Sequence, residues 1–196
     1  MTTTRCNPLR TRRLLRTLVL ASSVLAGPAW AQSLPSGGQV VSGSATISRN
    51  GTALTIDQAS DKLIANWASF SIDPDHSVTF NQPTVDAVAL NRVIGQDPSR
   101  ILGALKANGK VFLINPNGII VGKEGQVQAG GFVASTLGIR DEDFLAGNYR
   151  FTGSGGSIVN QGSLKGAVVA LIAPSVSNQG SIRGDMAMAA GSDVLL

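Results

Sequence analysis

The stretch Asn91–Ile139, NRVIGQDPSRILGALKANGKVFLINPNGIIVGKEGQVQAGGFVASTLGI, decides the fold. Within it Val111–Ile114 is one continuous apolar run and Ile119–Val121 is another, with only Asn115-Pro116-Asn117-Gly118 between them. Short apolar runs bounded by turn residues read as strands. The four residues between them read as a tight turn: Pro116 presets φ at the first central position, Asn117 is tolerated at the second, and Gly118 accepts a positive φ. Asn115 precedes a proline, so its backbone is pushed toward the extended region, and its side chain can cap the turn by accepting from a backbone N–H.

Further along, Asn160-Gln161-Gly162-Ser163-Leu164-Lys165-Gly166 recurs 18 residues later as Asn178-Gln179-Gly180-Ser181-Ile182-Arg183-Gly184. An apolar run follows each copy, Ala167–Ala173 and Met186–Ala190. A fixed period with Asn-x-Gly corners and strands of a few residues is the pattern of a β-solenoid. In such a coil Asn160 lies beneath Asn178, about 4.8 Å away, where side-chain amides form a hydrogen-bonded ladder. Asn160, Asn178, Gly162 and Gly180 are then read as corner residues in the left-handed conformation. The chain ends on the apolar run Val194-Leu195-Leu196, which reads as the start of another strand in a longer solenoid.

Before the central stretch, Gln39–Ile56 alternates loosely around Gly43 and Asn50-Gly51, and the Asn-Gly pair signals a hairpin placed to cover the first coil. Trp67 and Phe70 read as core aromatics. Ser99–Ala107, SRILGALKA, is the one segment that reads as a helix, led in by Asp97-Pro98. Asp141–Phe151, DEDFLAGNYRF, interrupts the coil pattern and reads as an excursion that returns Phe144, Leu145, Tyr149 and Phe151 to the body.

Residues 1–31 stand apart. Five arginines without an acid precede the apolar stretch Leu18–Gly27 and the site Ala29-Trp30-Ala31, which together read as a secretory signal peptide cleaved before Gln32. The apolar stretch is shorter than the roughly 20 residues a membrane-spanning helix needs. The lone cysteine, Cys6, leaves with the leader, so residues 32–196 hold no thiol for a disulfide, a metal or a nucleophile. The whole chain has 16 basic and 12 acidic residues, but without the five leader arginines the balance is 11 against 12. A near-neutral domain lacking basic patches interleaved with aromatics gives no footing for nucleic-acid binding.

Residues for chemistry are sparse. His76, the single histidine, sits in the turn sequence Asp73-Pro74-Asp75-His76 and reads as a solvated loop side chain. Asp141-Glu142-Asp143 lacks the alternate spacing and glycine bend of a calcium loop and reads as a solvated acidic turn. A glycosidase would need two acids about 5–9.5 Å apart, and the 18-residue repeat stacks no acid on another.

In order along the chain, Asn91-Arg92-Val93, Ser99, Ile101, Gly103, Leu105, Ala107-Asn108-Gly109, Val111–Ile119, and Gly130-Gly131 before Ala134-Ser135-Thr136-Leu137 resemble the haemagglutination-activity domain of two-partner secretion exoproteins. This is the amino-terminal domain of filamentous-haemagglutinin-like and high-molecular-weight adhesins. Asn66-Trp67 and Ser69-Phe70, followed by Ser77–Phe80 and Gln82-Pro83, extend the resemblance over roughly residues 38–196. The second, upstream Asn-Pro-Asn motif of some members is absent, which places the chain with the high-molecular-weight adhesins.

The resemblance implies an all-β, right-handed parallel β-helix with an N-terminal β cap. It implies a non-enzymatic secretion domain without cofactor or metal, recognised in the periplasm by an outer-membrane TpsB-type β-barrel transporter with periplasmic modules. Asn91, Arg92, Asn115, Pro116, Asn117 and Gly118 would carry that recognition, and the exoprotein would reach the medium or the cell surface. Host-cell or matrix receptors or glycans would be partners of the rest of the exoprotein. The alternatives are a β-helix enzyme acting on polysaccharide, and the passenger of a single-chain autotransporter. Secreted protein is expected to begin at Gln32, so an intact mass that retains residues 1–31 overturns the leader reading.

Overall fold

A computed structural model describes residues 1–3 and 34–196 of the chain, so the reading of the leader lies outside the described residues. The strands in chain order are β1 (Gln39–Ser42), β2 (Ala45–Asn50), β3 (Ala53–Gln58), β4 (Lys62–Trp67), β5 (Ser77–Asn81) and β6 (Val88–Val93). Next come β7 (Ser99–Ile101), β8 (Ala104–Ala107), β9 (Lys110–Ile114), β10 (Ile119–Val121), β11 (Gln126–Gln128) and β12 (Gly131–Ser135). A short helix α1 (Asp141–Ala146) precedes β13 (Arg150–Thr152), β14 (Ser157–Asn160), β15 (Ser163–Ala173), β16 (Ser175–Asn178), β17 (Ser181–Ala190) and β18 (Asp193–Leu195).

Pairing between successive turns of the chain is parallel and in register, which makes the body a parallel β-helix with three faces. Face A stacks β4, β6, β9, β12 and the second halves of β15 and β17. Face B stacks β3, β5, β8, β11 and the first halves of β15 and β17. Face C stacks β7, β10, β14 and β16. The cap expected at the N-terminal end is present: β1 lies antiparallel to β4, and β2 forms an antiparallel hairpin with β3 through Gly51 at φ 57°. Antiparallel pairing there closes edges that would otherwise stay open.

Side chains alternate across each strand, and on face A both sides are buried. Leu63, Ala65, Trp67, Ala89, Val111, Leu113, Phe132 and Leu171 point into the coil with Phe70, while Ile64, Leu90, Phe112, Val133 and Ile172 form a second apolar cluster. Strands covered on both faces read as unbroken apolar runs, which is why Val111–Ile114 shows no alternation. The excursion after β12 covers this second cluster. Phe144 and Phe151 are fully buried against it, and the Phe112 ring lies 5.7 Å from Phe144 edge-on and 4.9 Å from Tyr149. Leu145, expected to return with them, is instead 40% exposed, and only its backbone carbonyl is used, by the Lys62 ammonium.

The acidic triplet opens α1 and so faces the positive end of the helix dipole. Behind the helix, β13 and β18 pair antiparallel, clamped by Arg150 Nε donating to Asp193 Oδ1 at 3.0 Å. That hydrogen bond holds the Asp193 carboxyl below its ordinary range and raises the Arg150 guanidinium above its own.

Three further expectations need correction. Ser99–Ala107 is not helical: it contains β7 and β8, because Ile101 and Leu105 are both inward positions in successive strands and the corner at Leu102-Gly103 lies between them. His76 is buried, at 5% exposure, with Nδ1 2.9 Å from the Pro74 carbonyl oxygen, since Ala104 of the next coil bonds to the His76 carbonyl and closes over the turn. Asn160, Asn178, Gly162 and Gly180 are not left-handed. Close stacking, not φ, requires the glycines: a Cβ on Gly162 would sit 2.3 Å from the Gly125 carbonyl oxygen, and one on Gly180 2.2 Å from that of Gly162.

The ladder itself is present. Asn160 Nδ2 donates to Asn178 Oδ1 at 2.8 Å, and each Oδ1 accepts from the N–H of the glycine two residues on. Asn160 is fully buried, whereas Asn178 on the last rung is exposed. Urea melts are expected to show Asn160→Leu destabilising by about 1–3 kcal/mol, the penalty for unpairing buried polar groups. Gln161→Leu, which removes one solvent-exposed hydrogen bond to Gln179 at 3.2 Å, should cost less, about 0.5–1 kcal/mol.

Candidate functional site

The corner Asn115–Gly118 carries the chain from face A to face C, so it is a corner between two sheets and not a hairpin within one. Gly118 N–H donates to the Asn115 carbonyl at 3.1 Å, closing the turn, and Gly118 has φ 119° as the turn chemistry requires. Asn115 Oδ1 accepts from the Asn117 backbone N–H at 3.0 Å and from Asn117 Nδ2 at 3.1 Å. This is the cap anticipated from the sequence.

The same side chains also reach the coil below. Asn115 Nδ2 donates to the Asp97 carbonyl at 3.0 Å and to Ser99 Oγ at 2.9 Å, and Asn117 Nδ2 donates to the Gly95 carbonyl at 2.8 Å. Backbone bonds fasten the corner upward, from Asn115 N–H to Ser135 and from Gly156 N–H to Pro116, and downward, from Ser99 N–H to Gly118. The turn is therefore a rivet through neighbouring coils. Asn115 and Gly118 are buried, while Pro116 and Asn117 are exposed.

The other two residues of the candidate set lie on β6 and point to opposite sides of it. Asn91 faces inward with no exposure: its Oδ1 accepts from Trp67 Nε1 at 3.0 Å, and its Nδ2 donates to the Phe112 carbonyl at 3.3 Å. It supplies the polar partner that a buried indole N–H requires. Arg92 faces outward and donates to the Ile139 carbonyl at 2.9 Å and to Asp141 Oδ1 at 2.6 Å, tying the start of the helical excursion to face A. Asn91 thus offers no surface, whereas Arg92 stands in register with Ile114, one rung below the start of the corner.

Sequence reasoning missed a second amide cluster, at the corner between faces B and A. Gln82 Nε2 donates to Gln58 Oε1 at 3.1 Å and to the Ala87 carbonyl at 3.1 Å, while its Oε1 accepts from Gly109 N–H at 3.0 Å. Asn108 bonds the Gln82 backbone in both directions at 2.7 Å. Gln58 and Gln82 are 24 residues apart and Asn108 follows 26 later, so no constant period exposes them in the sequence. Among the described residues no group of three or more His, Cys, Asp or Glu could hold a metal ion.

Truncation at the rivet should separate its two amides. Asn115→Ala unpairs the buried Ser99 hydroxyl and is expected to cost about 1–3 kcal/mol, whereas the exposed Asn117→Ala should cost about 0.5–1.5 kcal/mol. Chemical denaturation of both variants measures the order.

Residues 31–195 match the family model of the TPS secretion domain. A heme/hemopexin-binding protein of Haemophilus influenzae is 41% identical over 119 residues, 61% of this chain and 13% of that protein. The chain therefore spans about an eighth of that relative. Among solved structures, the HMW1 secretion domain from Haemophilus influenzae is 36% identical with a TM-score of 0.79, covering 82% of this chain and 46% of that one. The filamentous hemagglutinin secretion domain is 19% identical with a TM-score of 0.50, covering 82% and 64%, and shows the shared fold.

Proposed function

We propose, on the premise that this chain belongs to the TPS secretion domain family, that its Asn-Pro-Asn-Gly corner is read by the partner transporter before the coil forms and locks the coil afterwards. Domains of this family serve the secretion of exoproteins that are released or surface-exposed. The partner is the outer-membrane β-barrel with periplasmic modules, reached after the leader is removed behind Ala31.

The observation that carries this reading is that two amides of the candidate set are buried while Pro116 and Asn117 stay exposed. Asn91 and Asn115 have no solvent exposure once the coil has closed, so a periplasmic module can reach their amides only on an unfolded chain. An extended segment also offers its backbone for addition to a sheet edge, with the motif side chains setting specificity. Outside the cell the same amides find their partners within the coil.

The last rung supports the second half of the role. Met186 and Met188 stand in register with the core residues Val169 and Leu171, yet are 51% and 50% exposed. A stack of this kind is stabilised by nearest-neighbour contacts between rungs, and the rung of Met186 and Met188 is paired on the Val169 and Leu171 side.

Asn117→Ala is the discriminating variant, since its stability cost is small beside the roughly 5–15 kcal/mol of a typical domain. Purified protein is expected to keep its strand-rich circular dichroism while its amount in the medium and its binding to the periplasmic modules fall at least tenfold. Secretion at the normal level by both Asn117→Ala and Asn115→Ala overturns the recognition role and leaves the corner purely structural.

A further inference from the structure

We infer that face B is a docking surface for an acidic polysaccharide laid along the coil axis. Register alone builds its outward column: Thr55 pairs with Thr79, Thr79 with Lys106, Lys106 with Gln128, Gln128 with Lys165, and Lys165 with Arg183. With rungs about 4.8 Å apart, Lys106 and Lys165 stand two rungs, about 9.6 Å, from one another, and Arg183 is one rung further. All three are exposed, and none makes an ion pair among the described residues. Like charges on directly opposed positions of neighbouring strands repel, and an anion bound across them removes that repulsion. Asp57, the acid among the outward positions at the N-terminal end of the face, is held by Asn81 at 2.7 Å and stands in a different column.

The surface has a continuous shape to match. A depression of about 630 Å³ bordered by Thr79, Lys106 and Gln128 adjoins one of about 450 Å³ bordered by Gln128, Lys165 and Arg183, and the two share Ala107 and Gln128. They form one open trough running across the strands, parallel to the coil axis.

The chemistry of the trough selects among polyanions. The neighbouring outward column is hydroxyl and amide on its later rungs, Gln126, Ser163 and Ser181 in register, which suits a polymer carrying hydroxyls between its charges. No aromatic side chain projects from these positions, so bases of a single strand find no stacking platform. No large apolar side chain projects either, so the face has nothing to bury in a bilayer. Spaced cations separated by Gln128 suit a linear glycan with one acidic group per repeat. The site is independent of export, because it belongs to the folded coil.

Titration calorimetry of the purified chain at physiological salt tests it, with heparin as the sulfated probe, polygalacturonate as the carboxylated probe, and dextran and a single-stranded oligodeoxynucleotide as controls. At least one acidic glycan is expected to bind, dextran not at all, and the oligonucleotide at least tenfold more weakly. Lys106→Gln/Lys165→Gln/Arg183→Gln should weaken glycan binding at least tenfold with a urea midpoint that is unchanged or slightly raised, since the three side chains make no ion pair among the described residues and their mutual repulsion is removed. Arg100→Gln/Lys110→Gln/Arg140→Gln, which removes the same charge from face C, face A and the excursion, should stay within twofold. Absence of binding to both acidic glycans, equal weakening by the two triple variants, or an oligonucleotide bound as tightly as the glycans overturns the proposal.

Discussion

The close stacking of one coil on the next is the constraint on which the rest of this structure depends. Rungs repeat at about 4.8 Å, so any residue at a corner meets the backbone of the corner beneath. At the turn from face C to face B this produces a column of glycines, Gly103, Gly125, Gly162 and Gly180. A Cβ on any of them would fall 2.1–2.3 Å from a carbonyl oxygen of the rung below. Beside the glycines, corners are held by amides that bond across rungs, as Asn115 and Asn160 do. Stacking thus decides both the small residues and the buried polar ones, and a buried amide is tolerated because each of its groups finds a partner.

That arrangement leaves the domain with two apolar regions where a simple coil has one. The interior is filled by inward side chains, but face A also presents an apolar outer surface, and a large exposed patch of that kind invites association. The excursion carrying Phe144, Tyr149 and Phe151 covers it, and Arg92 ties the excursion down through Asp141. Face B has no such cover, and its outward residues are polar and charged. The two faces that share one continuous sheet therefore meet different surroundings, one protein and the other solvent.

Much of this was legible in the residues. The two apolar runs around Asn115-Pro116-Asn117-Gly118, the 18-residue echo, the Asn50-Gly51 hairpin and the core placement of Trp67 and Phe70 all follow from local turn chemistry and spacing. The cap that Asn115 gives its own turn was readable for the same reason. SRILGALKA misled because Ile101, Leu102 and Leu105 fit a helical stripe as well as they fit two short strands, and only the next coil, pairing Val121 with Ile101 and Val127 with Leu105, decides between them. His76 was misplaced because turn composition says nothing about what closes over a turn.

Local chemistry in the sequence by itself determined a β-rich chain of short strands, where it must turn, and which side chains cannot be exposed. Outside the 18-residue echo that placed Asn160 beneath Asn178, the tertiary structure alone decided which residues become neighbours across rungs. Coil lengths vary, so partners such as Gln58 with Gln82, Arg92 with Asp141, and Lys106 with Lys165 through Gln128 stand at no common separation. A register between strands is a property of the pairing between coils, set by hydrogen bonds to residues tens of positions away, and no local window of sequence contains it.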